Sequence, residues 1–285
     1  MDWVNDAVSQ TEIALGRSIG PGERAPRWSL YGENAIVEKG GGSVVIRLLP
    51  RREVGQAYKL VNGKLVLDEK AKPKNSVPFL SFFDHWFSSP ENNVPGKRRW
   101  TVCPRSFGKD QDCPVCEQYL RVSSSDAPNK NELKRLYEQR PSFAWAAIVG
   151  QWRKRRVDPL TGEIDVRLIF LPVTVHTTIL STLLRSTLRR NDPTDPERGF
   201  DIELFSPNQR GGRWTVQFGA ECPMLDPQVY SPEDALQVLR KIPDLESGVK
   251  SWVMSVDVMR NVISGESGNY GSVGGNLVSD ETVPF

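Results

Sequence analysis

Apolar and polar positions alternate with a period of two over much of this chain, so strands dominate the expected structure. SVVIRLLP at 43–50 is rich in β-branched residues and closed by proline, which predicts a strand. KLVNGKLVL at 59–67 sets Asn62-Gly63 between two apolar triplets, the short-range signature of a tight hairpin. Residues 77–87 are aromatic and predict an extended segment. A second β block follows, with FAWAAIVGQW at 143–152, a basic turn ending in DPLTG at 158–162, and a returning strand at 165–171. GFDIELF at 199–205 and RWTVQF at 213–218 alternate again, joined by a turn at Gly211-Gly212. Helical spacing is rarer. Residues 131–140 predict a short polar helix, with Leu133, Leu136 and Tyr137 on one side. Ile179, Leu180, Leu183, Leu184 and Leu188 predict an amphipathic helix over 175–190. Ser231-Pro-Glu-Asp opens another: serine can cap it, proline suits the first turn, and acids favour its positive end. Short strands with few helices predict a mainly β fold with α elaborations, built as a small closed or partly closed barrel.

The ends differ from the body. Residues 1–25 carry only a weak helical pattern that stops near Gly20-Pro21-Gly22, and read as an arm. Residues 264–279 are rich in Gly with scattered Ser and Asn, a composition that cannot offset the entropy of ordering. The expected organisation is an arm at 1–25, a core at 26–263 and a flexible acidic tail at 264–285. In the tail's last segment, Asp280, Glu281, Val283, Pro284 and Phe285 read as a peptide ligand: the acids and the carboxylate of Phe285 would meet basic groups on a partner, and the Phe285 ring would fill an apolar pocket.

Charge changes the picture through its distribution. The 285 residues carry a net charge of only +2. Yet eight Lys or Arg face three acids between Arg47 and Lys74, and Lys97-Arg98-Arg99 and Arg153-Lys154-Arg155-Arg156 form two further clusters. The last twenty residues hold three acids and no base. Such polarised patches face polyanions. The basic residues also neighbour aromatic ones: Arg51, Arg52 and Tyr58; Phe83 and Trp86; Lys97, Arg98, Arg99 and Trp100; Trp152, Arg153, Arg155 and Arg156; and Trp214 beside Arg213. Single-strand bases stack on such rings at about 1–3 kcal/mol each, while cations track phosphates. A duplex hides its base faces. Trp145 and Phe170, within apolar strands, read as core.

The candidate chemistry is a metal centre. Cys103, Cys113 and Cys116 lie in CPRSFGKDQDCPVC, and His85 precedes them in FFDHWF, from a chain with four cysteines and two histidines. Thiolate and imidazole are the donors a structural zinc prefers, and four complete a tetrahedral shell. Cys113-Pro-Val-Cys116 forms a knuckle in which both sulfurs reach one ion. His85 is the expected fourth ligand, with Cys222 or His176 as the alternatives.

The ordered set SVVIRLLP, VPFLSFFDHWF, CPRSFGKDQDCPVCEQYL and SFAWAAIVGQWRKRRVDPLTGEIDVRLIF resembles the zinc-containing single-stranded DNA-binding protein family of T-even phages over roughly residues 43–220. Nine and two residues separate the three cysteines, as in that family. The resemblance implies an OB-fold barrel with an inserted zinc subdomain at about 77–122, one structural zinc held by His85, Cys103, Cys113 and Cys116, and a role coating single-stranded DNA in replication, recombination and repair. Arg47 matches the arginine of the family's first strand motif, and Trp100 an aromatic before the first cysteine. The insert SSPENNVPG lengthens the interval from His85 to Cys103, and the arm lacks the family's basic cooperativity motif. The ending DETVPF is similar to the tip with which bacterial single-stranded DNA-binding proteins recruit replication and recombination enzymes.

The residues argue against an enzyme: there is no phosphate-binding loop, HExxH helix or G-x-S-x-G elbow. No signal peptide or transmembrane-length apolar span is evident, so the cytoplasm of an infected bacterial host is the expected setting. The rival reading is a zinc-stabilised module that binds RNA or recruits proteins, because OB folds serve both.

Overall fold

A computed structural model describes residues 27–28, 30, 36, 42–73, 77–92, 98–185, 192–206 and 213–266. Helix and strand each account for 31% of the described residues, so the fold is mixed α/β around one large, mostly antiparallel sheet. The helices exceed expectation because several are too short to show a helical period, as with α1 (Arg52–Gln56).

The sheet is organised by β7 (Gln139–Gln151), which begins four residues before the expected strand. Along one side it pairs with β9 (Val166–Pro172), from Ser142 to Ile148. Along the other side it pairs twice. Its first half, Gln139 to Trp145, takes β5 (Phe79–Phe87), and Ala147 to Val149 take β2 (Ser43–Leu48). β6 (Arg99–Val102) extends from β5, and β10 (Phe200–Phe205) and β11 (Thr215–Glu221) extend from β2. β1 (Arg27–Trp28) adds in parallel to β9. Among the described residues the path ends at β1 and β11 without closing, so no barrel ring is formed. The expected hairpin of β3 (Tyr58–Val61) and β4 (Lys64–Leu67) is present, with Asn62 at φ 52° and Gly63 at φ 70°. Two successive positive φ values make the primed turn that suits twisted strands. The short β8 (Lys154–Arg155) folds back on the end of β7. Gly150 there has φ 104°, and a Cβ would lie 2.5 Å from the Lys154 carbonyl oxygen, so only glycine fits.

The apolar run of β7 follows from burial on both faces. Phe143, Trp145, Ala147 and Val149 point into one core with Ile46, Leu48, Ile169 and Ile202. Val175, Ile179 and Leu183 of α4 (Val173–Arg185) cover that face. Ala144, Ala146 and Ile148 point the other way, against Leu168, Phe170, Val238, Leu239 and Val249. Those last residues come from β9, α5 (Pro232–Arg240) and α6 (Leu245–Lys250). Fully burying each large side chain stabilises by about 1.5–3 kcal/mol, so the two cores carry the sheet. α5 starts as expected, with Ser231 and Asp234 forming a capping box.

A third, smaller cluster lies beyond the β5–β6 ribbon. It joins Phe87, the three cysteines, Val115, Val122, Leu136, Tyr137, Met254 and Met259. Three helices frame it: α2 (Pro114–Ser124), α3 (Lys130–Arg135) and α7 (Val256–Ser264). α2 starts at the knuckle with Cys113 as its N-cap and Pro114 in its first turn. The helix expected over 131–140 stops at Arg135, because β7 takes the chain from Gln139.

Candidate metal centre and aromatic face

β5 and β6 pair with Asp84 opposite Val102, His85 opposite Thr101 and Trp86 opposite Trp100. Side chains alternate across a strand, so this ribbon has two chemically different faces. His85 lies on one of them. Cys103 follows directly from β6, and a 3₁₀ turn at Pro104–Phe107 returns the chain to Cys113 and the start of α2.

The four ligand atoms lie within 4.8 Å of one another. Cys103 Sγ is 3.8 Å from Cys113 Sγ and 3.6 Å from Cys116 Sγ. His85 Nε2 is 3.5 Å from Cys113 Sγ and 3.4 Å from Cys116 Sγ. Tetrahedral zinc, with its usual bond lengths, sets sulfurs about 3.8 Å apart and sulfur and nitrogen about 3.5 Å apart. The donor set therefore fits zinc in both chemistry and spacing. With Nε2 facing the sulfurs, Nδ1 carries the ring proton when a metal is bound. His85, Cys103 and Cys113 are fully buried and Cys116 is 6% exposed, which suits a closed structural site.

The electrostatics agree. Burial opposes charge on His85, but hydrogen bonds and charge from the Cys103 and Cys116 sulfurs carry its pKa up to about 9. Hydrogen bonds from Cys113 and Cys116 hold the Cys103 thiol far below its ordinary range despite burial. Cys113 is pushed far up by its bonds with Cys103 and Cys116, and by burial. Without a cation, this group competes for the few protons it can share. A divalent ion resolves that competition.

His176, an alternative ligand, stacks on Phe143 at 3.6 Å and accepts a hydrogen bond from Trp145 Nε1 at 3.3 Å, inside the first core. Burial lowers its pKa to about 3, so it is neutral. Cys222 is also elsewhere, with its sulfur 3.5 Å from Arg47 Nη1. His85 is the residue that joins the three cysteines.

The opposite face of the ribbon is aromatic. Phe82 packs on Phe170 with centroids 5.1 Å apart, and Trp100 lies 5.8 Å from Phe170 and 5.9 Å from Trp252. Trp100 Nε1 donates to Asp84 Oδ2 at 3.0 Å, and Ser142 Oγ donates to the same oxygen at 2.9 Å, which fixes the indole. Burial raises the Asp84 pKa against these bonds. The Arg27 guanidinium sits 4.2 Å from the Trp100 ring, 4.3 Å from Trp252 and 5.1 Å from Phe170. β1 thus brings a cation into an aromatic cage. Neither Arg27 nor Trp252 stood out in the sequence, although Lys250-Ser-Trp252 repeats the base–aromatic pattern seen at Trp100 and Trp152.

The other expected contact residues divide by exposure. Arg52, Phe83, Arg153 and Arg156 are exposed, while Arg51, Trp86, Arg98, Arg99, Trp100 and Trp152 are half-buried. Tyr58, Trp214, Arg47 and Arg155 are buried, which corrects the expectation of a surface role for them. Trp214 packs into the first core and Tyr58 into the second. Arg47 donates to Asp201 at 3.2 Å and to the Cys222 carbonyl at 2.8 Å. Arg155 donates to the same carboxylate and to the Met224 carbonyl, both at 2.8 Å. The alternation of a strand turns Arg155 inward while Lys154 and Arg156 stay out. Arg153 pairs with Asp226 at 3.2 Å and lies over the Trp152 ring. Lys97 and the tail residues Asp280, Glu281, Val283, Pro284 and Phe285 lie outside the described residues. Among the described residues no helix is long and apolar enough to cross a membrane.

No family model matches this chain, and no curated protein matches it significantly.

Proposed function

We propose that this protein binds single-stranded DNA, with one structural zinc bracing the ribbon that presents an aromatic face. The observation that carries this reading is the ribbon itself. One of its faces holds His85 for the Cys103–Cys113–Cys116 set, and the other gathers Phe82, Trp86, Trp100, Phe170 and Trp252. Half-buried Trp86, Trp100 and Trp252 supply the sequence-tolerant stacking that a single strand needs, while Phe82 and Phe170 are buried and support the face, and exposed Arg52, Arg153 and Arg156 supply charge for its phosphates. The zinc does no chemistry in this reading. It holds the ribbon in register. The ordered motifs that resemble the T-even phage family support the same class, with roles in replication, recombination and repair in a phage-infected cell. We read the forked sheet as a derivative of the OB fold. In it β7 serves β5 and β2 along a single edge. The segment 280–285 would engage partner enzymes.

The test is a titration of the zinc-loaded protein with dT and duplex oligonucleotides of equal length, following tryptophan fluorescence across a salt series. With about six phosphates engaged, log K for the single strand should fall with a slope near −4 against log salt. Quenching by dT with weak duplex binding is the expected result. Equal binding to both, or none, overturns the reading, and equal affinity for poly(U) replaces DNA by RNA.

A further inference from the structure

Gln139 opens β7 directly opposite His85, so both side chains share the metal face of the sheet. Its Nε2 lies 3.2 Å from Cys103 Sγ and 3.2 Å from Cys116 Sγ. A primary amide nitrogen carries two hydrogens, one for each sulfur. Phe87, Val115, Leu136, Tyr137 and Met259 pack with the cysteines in one buried cluster. Gln139 is itself exposed. It therefore stands between the ligand set and water.

Charge gives this position its weight. Three thiolates and a neutral imidazole around a divalent ion leave a net negative charge in an apolar surround, and unpaired charge there is costly. Hydrogen bonds from Gln139 draw electron density from two of the three sulfurs. The third, Cys113, has the Cys103 and Cys116 sulfurs and His85 as its polar partners.

We propose that Gln139 is a functional part of the metal centre: a lid and double hydrogen-bond donor that retains the ion and shields Cys103 and Cys116 from electrophiles. The inference rests on the metal site and is independent of nucleic-acid binding. Outer partners of metal ligands commonly set metal affinity by about 10–100-fold.

The experiment follows zinc release from the full-length loaded protein during N-ethylmaleimide treatment, with a chromophoric chelator as reporter and mass spectrometry to order the labelled cysteines. In each event the sulfur forms a bond to a maleimide carbon, the metal–sulfur bond breaks, and the adjacent carbon takes a proton from water. Gln139→Ala should release zinc about ten-fold faster or more. Its first labels should fall on Cys103 and Cys116. Gln139→Lys, which keeps a donor over the sulfurs, should release near the wild-type rate. Wild-type kinetics and labelling order in Gln139→Ala would overturn the proposal, as would lysine behaving like alanine. Wild-type protein that holds no zinc would instead overturn the metal centre itself, so the two failures are separable.

Discussion

The central sheet and the metal quarter solve the same problem by different means. β7 has apolar layers on both faces, and large side chains from α4, α5, α6 and the flanking strands meet there. The metal quarter has one small cluster, and four of its innermost side chains are polar ligands. Apolar area stabilises the first. The second buries fewer large side chains, and its four clustered donors could add the order that a bound ion supplies. The comparison teaches where each region is vulnerable: the sheet to buried charge left unpaired, the metal quarter to loss of the ion its four donors could hold.

Metal removal should have the largest effect and should be local. Structural zinc contributes on the order of 10 kcal/mol to sites of this kind. Chelation, or Cys113→Ser, should strip hydrogen-exchange protection from the cysteine loop, α2 and α3. It should also do so from α7, which Met259 and the Arg260–Asp112 ion pair at 2.9 Å tie to the site. β7 and β9 should keep theirs. Equal loss throughout would show one cooperative unit and erase the contrast.

The sheet should break through Asp201. Its carboxylate faces Arg47 and Arg155, whose side chains are fully buried. Asp201→Ala leaves two buried guanidiniums without their anion, at a cost of about 3–5 kcal/mol. A urea midpoint close to wild type would show that the carbonyls of Asp195, Cys222 and Met224 suffice.

A smaller effect sharpens the comparison through pH. His176 has a folded pKa of about 3 because it is buried neutral, against about 6.5 unfolded. The unfolded chain binds this proton first, so the stability is complete above about pH 6.5 and is lost as pH falls towards 3. At pH 5 the loss is about 2 kcal/mol. His176→Phe keeps an aromatic ring on Phe143 and removes the titration, so wild type should show the steeper acid slope of the two. Parallel slopes would mean His176 takes up its proton while folded.

Local chemistry was legible and long-range geometry was not. The Asn62-Gly63 turn, the Ser231 cap and the Cys113–Cys116 knuckle each depend on a few neighbouring residues, and all three formed as expected. Basic clusters were harder to read. Charge along the chain does not reveal which side of a strand faces a core, so Arg47 and Arg155 looked like phosphate contacts until Asp201 appeared beside them. Arg27 escaped notice because its partners, Trp100, Phe170 and Trp252, come from three distant stretches of sequence.

By itself, then, the sequence determined the ligand types, the knuckle, the hairpin and most strands, because spacing, capping and alternation act over a few residues. The tertiary structure decided the rest. It chose His85 over His176 and Cys222, turned two arginines inward, left the sheet open among the described residues and set Gln139 over the sulfurs. Those choices follow from strand pairings between residues far apart in the chain, whose register only the packed sheet fixes.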